Sequence, residues 1–152
     1  MINIRPFQKT DAAVFKALNI AWLEKYFYVE AYDREVLSHP KKYILDKGGY
    51  IFMVDYKGDT IGTMALLKHP NEIYEFTKMA VAPDLQGLGI GQKMMAYVIA
   101  FAKAQGLKGL ILYSNTKLEN AIYIYRKYGF IEIPQEQEVI YKRSNIKMKY
   151  PL

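Results

Sequence analysis

The segment Gln86-Gly87-Leu88-Gly89-Ile90-Gly91 is the part of this 152-residue chain whose residue types and spacing most directly suggest chemistry. It stands between a run that alternates like a strand and a run with helical periodicity. Glycines at such a junction let the backbone approach a ligand closely, and a helix start presents unpaired N–H groups carrying partial positive charge. That combination suits a phosphate or pyrophosphate; a tight turn that serves only the fold is the alternative reading. Two phosphate-binding motifs fail on spacing. A P-loop needs Lys followed by Ser or Thr after its last glycine, whereas Gln92-Lys93-Met94 follows here. A dinucleotide fingerprint needs G-x-G-x-x-G, whereas these glycines fall at every second position. The chain has no cysteine, which excludes disulfides, thiolate metal sites and an acyl-cysteine intermediate, and it has no G-x-S-x-G elbow. His39 and His69 each adjoin a proline in a predicted turn and read as surface residues; two isolated histidines do not make a metal site, so no metal is expected.

The elements that must position this loop follow from patterning. Ile2-Asn3-Ile4 alternates and stops at Pro6, a short first strand. Thr10 or Asp11 can cap a helix in which Val14, Phe15, Leu18, Ala21 and Trp22 recur at helical spacing, running to about Tyr26. Asp33 to Leu37 reads as a short helix ending before Pro40, and Pro40 to Asp46 as a further helical turn closed by Gly48-Gly49. Tyr50 to Tyr56, Thr60 to Leu67 and Ile73 to Val81 read as strands joined by tight turns, hence an antiparallel meander. A helix from about Ile90 to Ala104 ends at Gly106. Leu110 to Tyr113 is a compact buried strand, Leu118 to Tyr128 a final helix with Gly129 after it, and Val139 to Lys149 carries one last strand. The order predicts one mixed α/β domain over residues 1–152.

Composition agrees. About half of the residues are hydrophobic and 24% are charged, a globular mix that argues against disorder. The longest apolar run, Met94 to Ala102, is too short to cross a bilayer, and Met1 to Pro6 lacks the apolar core of a signal peptide. A soluble cytoplasmic protein without a membrane partner is the expectation. Twenty-one Lys and Arg against fifteen Asp and Glu give a net charge of +6, which favours an anionic partner such as nucleic acid or a phosphate-rich small molecule.

Neither phosphate motif fits, but the loop resembles the Q/R-x-x-G-x-G/A signature of the GNAT superfamily, the acetyl-CoA-dependent N-acetyltransferases. Here it is preceded by Met79-Ala80-Val81-Ala82-Pro83. A second stretch, Asn120-Ala121-Ile122-Tyr123-Ile124-Tyr125-Arg126-Lys127-Tyr128-Gly129-Phe130, is similar to the family's N-A-I-x-L-Y-x-K-x-G-F helix and the strand after it. The two signatures stand at the usual separation with Leu110 to Tyr113 between them, so the likeness covers Tyr50 to Phe130 firmly; the N-terminal third matches only in its β-α-α order. The resemblance implies a stand-alone, bacterial-type member with a central mixed, mostly antiparallel sheet flanked by helices.

It also implies roles. Main-chain amides from Gln86 through Gly87, Leu88, Gly89, Ile90 and Gly91 to Gln92 would hold the CoA pyrophosphate. The strand backbone at Met79 and Val81 would pair with the pantetheine arm, and an amide near Val81 would polarise the thioester carbonyl. Asn120 matches the asparagine that hydrogen-bonds the pantetheine, whereas Asn115 in Ser114-Asn115-Thr116 reads as a turn residue. An alkylamine of pKa about 10.4 must lose a proton before attack, and a leaving thiolate, with a thiol pKa of about 8.5, benefits from gaining one. Tyr125 stands at the family's general-acid tyrosine, and Tyr128, three residues on, shares its face more nearly than Tyr123 does. Glu75, eleven positions before Gln86, stands at the offset of the catalytic glutamate in the histone-acetyltransferase branch and is the candidate base. The competing reading puts Glu75 with Thr77 on a solvent-facing side of the strand, with water as the base.

The acceptor is expected to be a primary amine, on a small molecule, an amino acid or a protein, attacking directly in a ternary complex. Trp22, Tyr26, Phe27, Tyr28 and Tyr32 cluster where similar folds line the acceptor cleft, although Trp22 at helical spacing from Leu18 and Phe15 favours a core position. Glu24, Glu30, Asp33 and Glu35 offer to attract a cationic amine or are simply solvated. A catalytically silent acyl-CoA-binding module is the alternative. A nucleic-acid-binding protein fits less well, because the basic residues are scattered and no recognition motif accompanies them. Homodimers are common in similar proteins, with the last strand offering an edge for pairing between subunits.

Overall fold

The computed structural model describes residues 1–85 and 87–152. Seven strands form one sheet in the order β1-β2-β3-β4-β5-β7-β6. They are β1 Ile2–Pro6, β2 Tyr50–Tyr56, β3 Asp59–His69, β4 Ile73–Val81, β5 Gly109–Ser114, β6 Ile131–Ile133 and β7 Ile146–Pro151. Four helices accompany them, α1 Ala12–Tyr26, α2 Ala31–Ser38, α3 Ile90–Ala104 and α4 Glu119–Lys127. Every neighbouring pair is antiparallel except β4 with β5. Among the described residues no helix is long and apolar enough to cross a membrane.

Both faces of the sheet are covered, which is why its central strands read as nearly continuous apolar runs. On β2, Phe52 and Val54 join a cluster with Met94, Met95, Val98 and Ala102 of α3, against which Ile122, Tyr125 and Tyr128 of α4 also pack. The alternating Ile51 and Met53 face the other way, onto Phe15 and Leu23 of α1 and Val36 and Leu37 of α2. Asp11 stands at the N-cap of α1, but its carboxylate does not cap the helix. It accepts the Gln8 N–H at 2.7 Å and two hydrogen bonds from Arg5, which also binds Asp55, so the first strand is tied to the helix that follows it.

Two expectations about the C-terminal part need correction. The last strand begins at Ile146, and residues 139–145 form a loop. Side-chain tethers replace a ladder there: Tyr141 donates to Glu75, Arg143 binds Asp33 and Glu30, and Asn115 Nδ2 donates to the Arg143 carbonyl at 2.8 Å. The last strand is also not a free edge, because β7 pairs with β5 on one side and β6 on the other.

Arg143 is the chief anchor of that loop. Its guanidinium donates to both oxygens of Asp33, at 2.6 and 3.0 Å, and to Glu30 Oε2 at 2.9 Å. Burial pushes the Asp33 carboxyl up, yet Arg143 and Lys78 outweigh it and hold the group below its ordinary value. The stabilisation from this depressed pKa is therefore present above about pH 4, the unfolded carboxylate's pKa, and is lost as pH falls through the folded value. Arg143→Ala strands a buried carboxylate and is expected to cost about 3–5 kcal/mol in urea melts near neutral pH, with a shallower acid limb than the wild type. Gly49 is equally constrained by backbone. A Cβ there would run into the Leu66 carbonyl and come within 2.8 Å of the Ile44 carbonyl. Gly49→Ala should destabilise by about 3 kcal/mol, the upper end of overpacking costs, seen as a drop in melting temperature.

Candidate active site

The parallel ladder of β4 and β5 covers only Ile73–Glu75 against Gly109–Ile111. Beyond it lies a cleft of about 650 Å³ with Phe76–Val81 on one side and Leu112–Ser114 on the other. A β-bulge helps turn β4 away. Thr63 pairs with Ala80 and Ala65 with Thr77, so Lys78 and Met79 together stand opposite the single residue Met64. Lys78 takes φ +55°, a conformation that costs a residue with a Cβ about 1 kcal/mol or more. The buried Thr63 hydroxyl donates to the Lys78 carbonyl at 2.7 Å and accepts from Asn19 Nδ2 of α1 at 2.9 Å, holding the bulge in place.

At one end the cleft meets the start of α3. Gly87 and Gly89 have φ +87° and +75°, a region that favours glycine, and Gly89 is the residue just before the helix. The first amide bonded inside the helix is that of Lys93, to the Gly89 carbonyl at 3.2 Å, so Ile90, Gly91 and Gln92 precede the intrahelical ladder. A Cβ at Gly91 would stand 3.3 Å from the Met79 Cε across the cleft, so glycine keeps that approach open. The site has the shape for an extended thioester with a pyrophosphate: a helix start with unpaired amides and a slot between two strands.

Of the residues singled out by sequence, Met79, Val81, Gly87, Gly89, Ile90, Gly91, Gln92, Asn120 and Tyr125 line this one cleft. Leu88 points outward and is 58% exposed, and Gln86 lies outside the described residues. Tyr125 is half-buried beside Phe130, and desolvation pushes its phenol up to about 12, which keeps it protonated at neutral pH. Tyr123 is 64% exposed. Asn115 makes the turn, accepting the Lys117 N–H on Oδ1 at 2.9 Å.

Glu75 is placed differently from a cleft-wall base. It is buried on the α1/α2 side of β4, where Oε2 accepts the Tyr141 hydroxyl and Oε1 meets His69 Nε2, each at 2.9 Å. It is thus neither solvent-facing nor in the lining; Tyr141, its partner, is in the lining. His69 is correspondingly not a plain surface residue, unlike the exposed His39.

Trp22 packs against the α1/α2 core cluster and also lines the cleft, tilted against Tyr26 and Phe27 at centroid distances of 5.1 and 5.9 Å. Lys117 closes this wall, with Nζ 4.0 Å over the Phe27 ring and donating to the Tyr26 carbonyl. Tyr28 is exposed, and Tyr32 packs behind the wall on Tyr141. Glu30 and Asp33 are neither solvated nor available to a cation, being bound to Arg143 and, for Asp33, to Lys78 Nζ at 3.3 Å. Burial lowers the Lys78 ammonium pKa while Asp33 works against that shift. Sequence reasoning missed Asn19, Thr63, Lys78, Tyr141 and Arg143. The available signal was a lysine inside an apolar strand; the others became visible only once distant segments met.

The same chain resembles characterised proteins along most of its length. A mycothiol acetyltransferase of Paenarthrobacter aurescens is 31% identical over 57% of this chain, which spans 28% of that protein. The spermidine N(1)-acetyltransferase of Escherichia coli K12 is 27% identical over 85% of this chain and 72% of its own length. The chain spans between 23% and 32% of the first three curated relatives it matches. Among solved structures, an acetyltransferase of the GNAT family from Staphylococcus aureus superposes with a TM-score of 0.87 at 22% identity, covering 99% of both chains. A Vibrio cholerae spermidine N-acetyltransferase solved with CoA and spermine superposes at 0.73 with 21% identity, over 99% of this chain and 95% of that one. These likenesses show the fold. The family profile itself matches residues 15–130, which takes in the diverging strands, the glycine turn and α4: the chain belongs to the acetyltransferase (GNAT) family.

Proposed function

We propose that this chain is an enzyme that transfers the acetyl group of acetyl-CoA to a primary amine by direct attack in a ternary complex. The observation that carries the reading is the cleft that opens where β4 and β5 part and ends on the glycine turn before α3. Acetyl-CoA supplies an activated acetyl thioester. The amides of Gly87 to Gln92 hold its pyrophosphate, Met79, Val81 and Asn120 hold its pantetheine arm, and the basic surplus of +6 favours its phosphates. The amine enters from the side walled by Trp22, Tyr26 and Phe27. Tyr125, kept protonated by burial, gives its proton to the departing thiolate, and Glu75 is the base that takes up the proton the ammonium must lose.

Calorimetric titration tests the first half. Acetyl-CoA should bind with a Kd on the order of 10 μM, well below that for ADP, and no binding would overturn the reading. Gly89→Glu places a side chain in the left-handed region and a negative charge at the pyrophosphate, and should weaken acetyl-CoA binding by roughly 100-fold. Thiol release with a panel of amines tests the second half: turnover establishes an enzyme, while binding without turnover on any amine would leave a silent acyl-CoA sensor. Tyr125→Phe should lower kcat by about 100-fold or more while changing acetyl-CoA affinity little.

A further inference from the structure

Behind the cleft's polar end, Glu75 is a buried carboxylate with two separate outlets, whereas Glu119, the carboxylate among the described lining residues, is exposed at the start of α4. Asp33 has none, since its two oxygens already take Arg143 twice, Lys78 and the Glu30 N–H. Glu136 accepts the hydroxyl of Tyr113, another cleft residue, but it is an exposed group, and against partial desolvation Lys147 and that hydroxyl hold it below its ordinary value, which makes it a weak base. Glu75 is 2% exposed and spends one oxygen on Tyr141, which faces the cleft, and the other on His69, whose side chain is 33% exposed. The file Tyr141–Glu75–His69 therefore runs from the acceptor cleft to solvent through two contacts of 2.9 Å.

We propose that Tyr141 and His69 complete a proton exit for the acceptor ammonium, with Glu75 between them. This rests on the acetyltransferase reading above. The ammonium gives a proton to the Tyr141 hydroxyl oxygen as Tyr141 passes its own proton to Glu75 Oε2. At rest His69 holds its proton on Nε2, donated to the ionised Glu75 Oε1. Once Glu75 is a neutral acid, the ring exchanges that proton for one on Nδ1 through solvent, the acid turns its hydroxyl to the freed Nε2 and yields the proton, and the imidazolium releases its Nδ1 proton to water. Nε2–H again faces an ionised Glu75, so the net change is one proton moved from the amine to water. The second amine proton, lost after attack, goes with the thiolate through Tyr125.

The surroundings favour a relay over a free phenolate. Burial first, then Glu75 and Tyr32, drive the Tyr141 pKa well above its ordinary value, so it hands protons on without ionising. The charged and titratable groups facing the file are Tyr32 and Asp33 from α2, Lys78 from β4, Tyr113 from β5 and Arg143 from its own loop. Lys68 and Glu72, next to His69 in the chain, pair with each other at 3.5 Å.

The test compares wild type, Tyr141→Phe and His69→Gln on primary amines graded in basicity, at neutral pH and with acetyl-CoA affinity measured alongside. With strongly basic amines, which are protonated at neutral pH, both variants should lose roughly 10- to 100-fold in kcat. With weakly basic amines, which arrive deprotonated, the loss should shrink to about threefold or less, and raising the pH should narrow the gap for the basic ones. A loss that is the same across the series, or none at all, overturns the relay. His69→Gln changes a partly exposed side chain and carries the test alone if Tyr141→Phe does not fold. Failure of the wild type to bind acetyl-CoA or to acetylate any amine would instead sink the acetyltransferase reading itself.

Discussion

The short parallel ladder between β4 and β5 is the constraint on which the rest of this structure depends. Two neighbouring strands in a sheet normally stay about 4.8 Å apart along their whole shared length, because each hydrogen bond places the next. Here the ladder is limited to three residue pairs, and the bulge at Lys78 helps turn β4 away from β5. The bulge holds a lysine in the left-handed region, and that strain is offset by Thr63, which donates to its carbonyl from inside the fold and is itself held by Asn19. Paired or covered backbone is the rule inside a sheet. A gap between two central strands is therefore a place built to receive something extended that can occupy it. The start of α3 lies at one end of that gap and an aromatic wall lines its other side.

Close to the gap sits a cluster of ionisable groups with little solvent: Lys78 at 5% side-chain exposure, Asp33 at 0%, Glu75 at 3%, with Arg143, Glu30 and Tyr141 around them. Such clusters are weak evidence for stability, since desolvation offsets most of the attraction. Their consequence here is placement. Residues 139–145 have no regular secondary structure, yet they are fixed by bonds from Arg143 to α2, from Tyr141 to β4 and from Asn115 to the loop's own carbonyl. A ladder would have held the segment as a strand; polar side chains hold it as a loop whose inner face lines the cleft.

Much of the fold could be read from sequence because it depends on local signals. Apolar positions on both faces of β2 to β4, the turn residues between them and the glycines flanking α3 are all contiguous features, and each element of that stretch appears within a few residues of its predicted place. The cleft could be read for a similar reason, since the glycine turn and α4 each announce themselves over a dozen residues. The C-terminal segment could not. Val139 to Tyr141 is a β-branched and aromatic run that passes for strand, and distant partners, Glu75 and Asp33, hold the segment as a loop. Glu75 was singled out with its surroundings left open, because strand alternation gives its face and says nothing about whether that face meets water or Tyr141; the solvent-facing alternative is the one that fails. Trp22 was read in part: helical spacing marks a face that is covered, and it does pack on the core, but the same ring also lines the cleft.

In the proposed reaction the gap also lets an acid and a base serve from separate environments. Tyr125 packs with the α3 side of the sheet, in an apolar setting with Phe130, where a phenol stays protonated. Glu75 faces the opposite side, where its two oxygens meet the Tyr141 hydroxyl and the His69 imidazole. An unbroken sheet would separate these two environments completely. Because β4 and β5 part, a single cleft touches Tyr125 from one face and Tyr141 from the other. In the proposed reaction the proton for the thiolate therefore arrives from one side of the sheet while the ammonium's proton leaves through the other. The amine's path from protonated guest to nucleophile is thus set by the same strand divergence that admits the thioester.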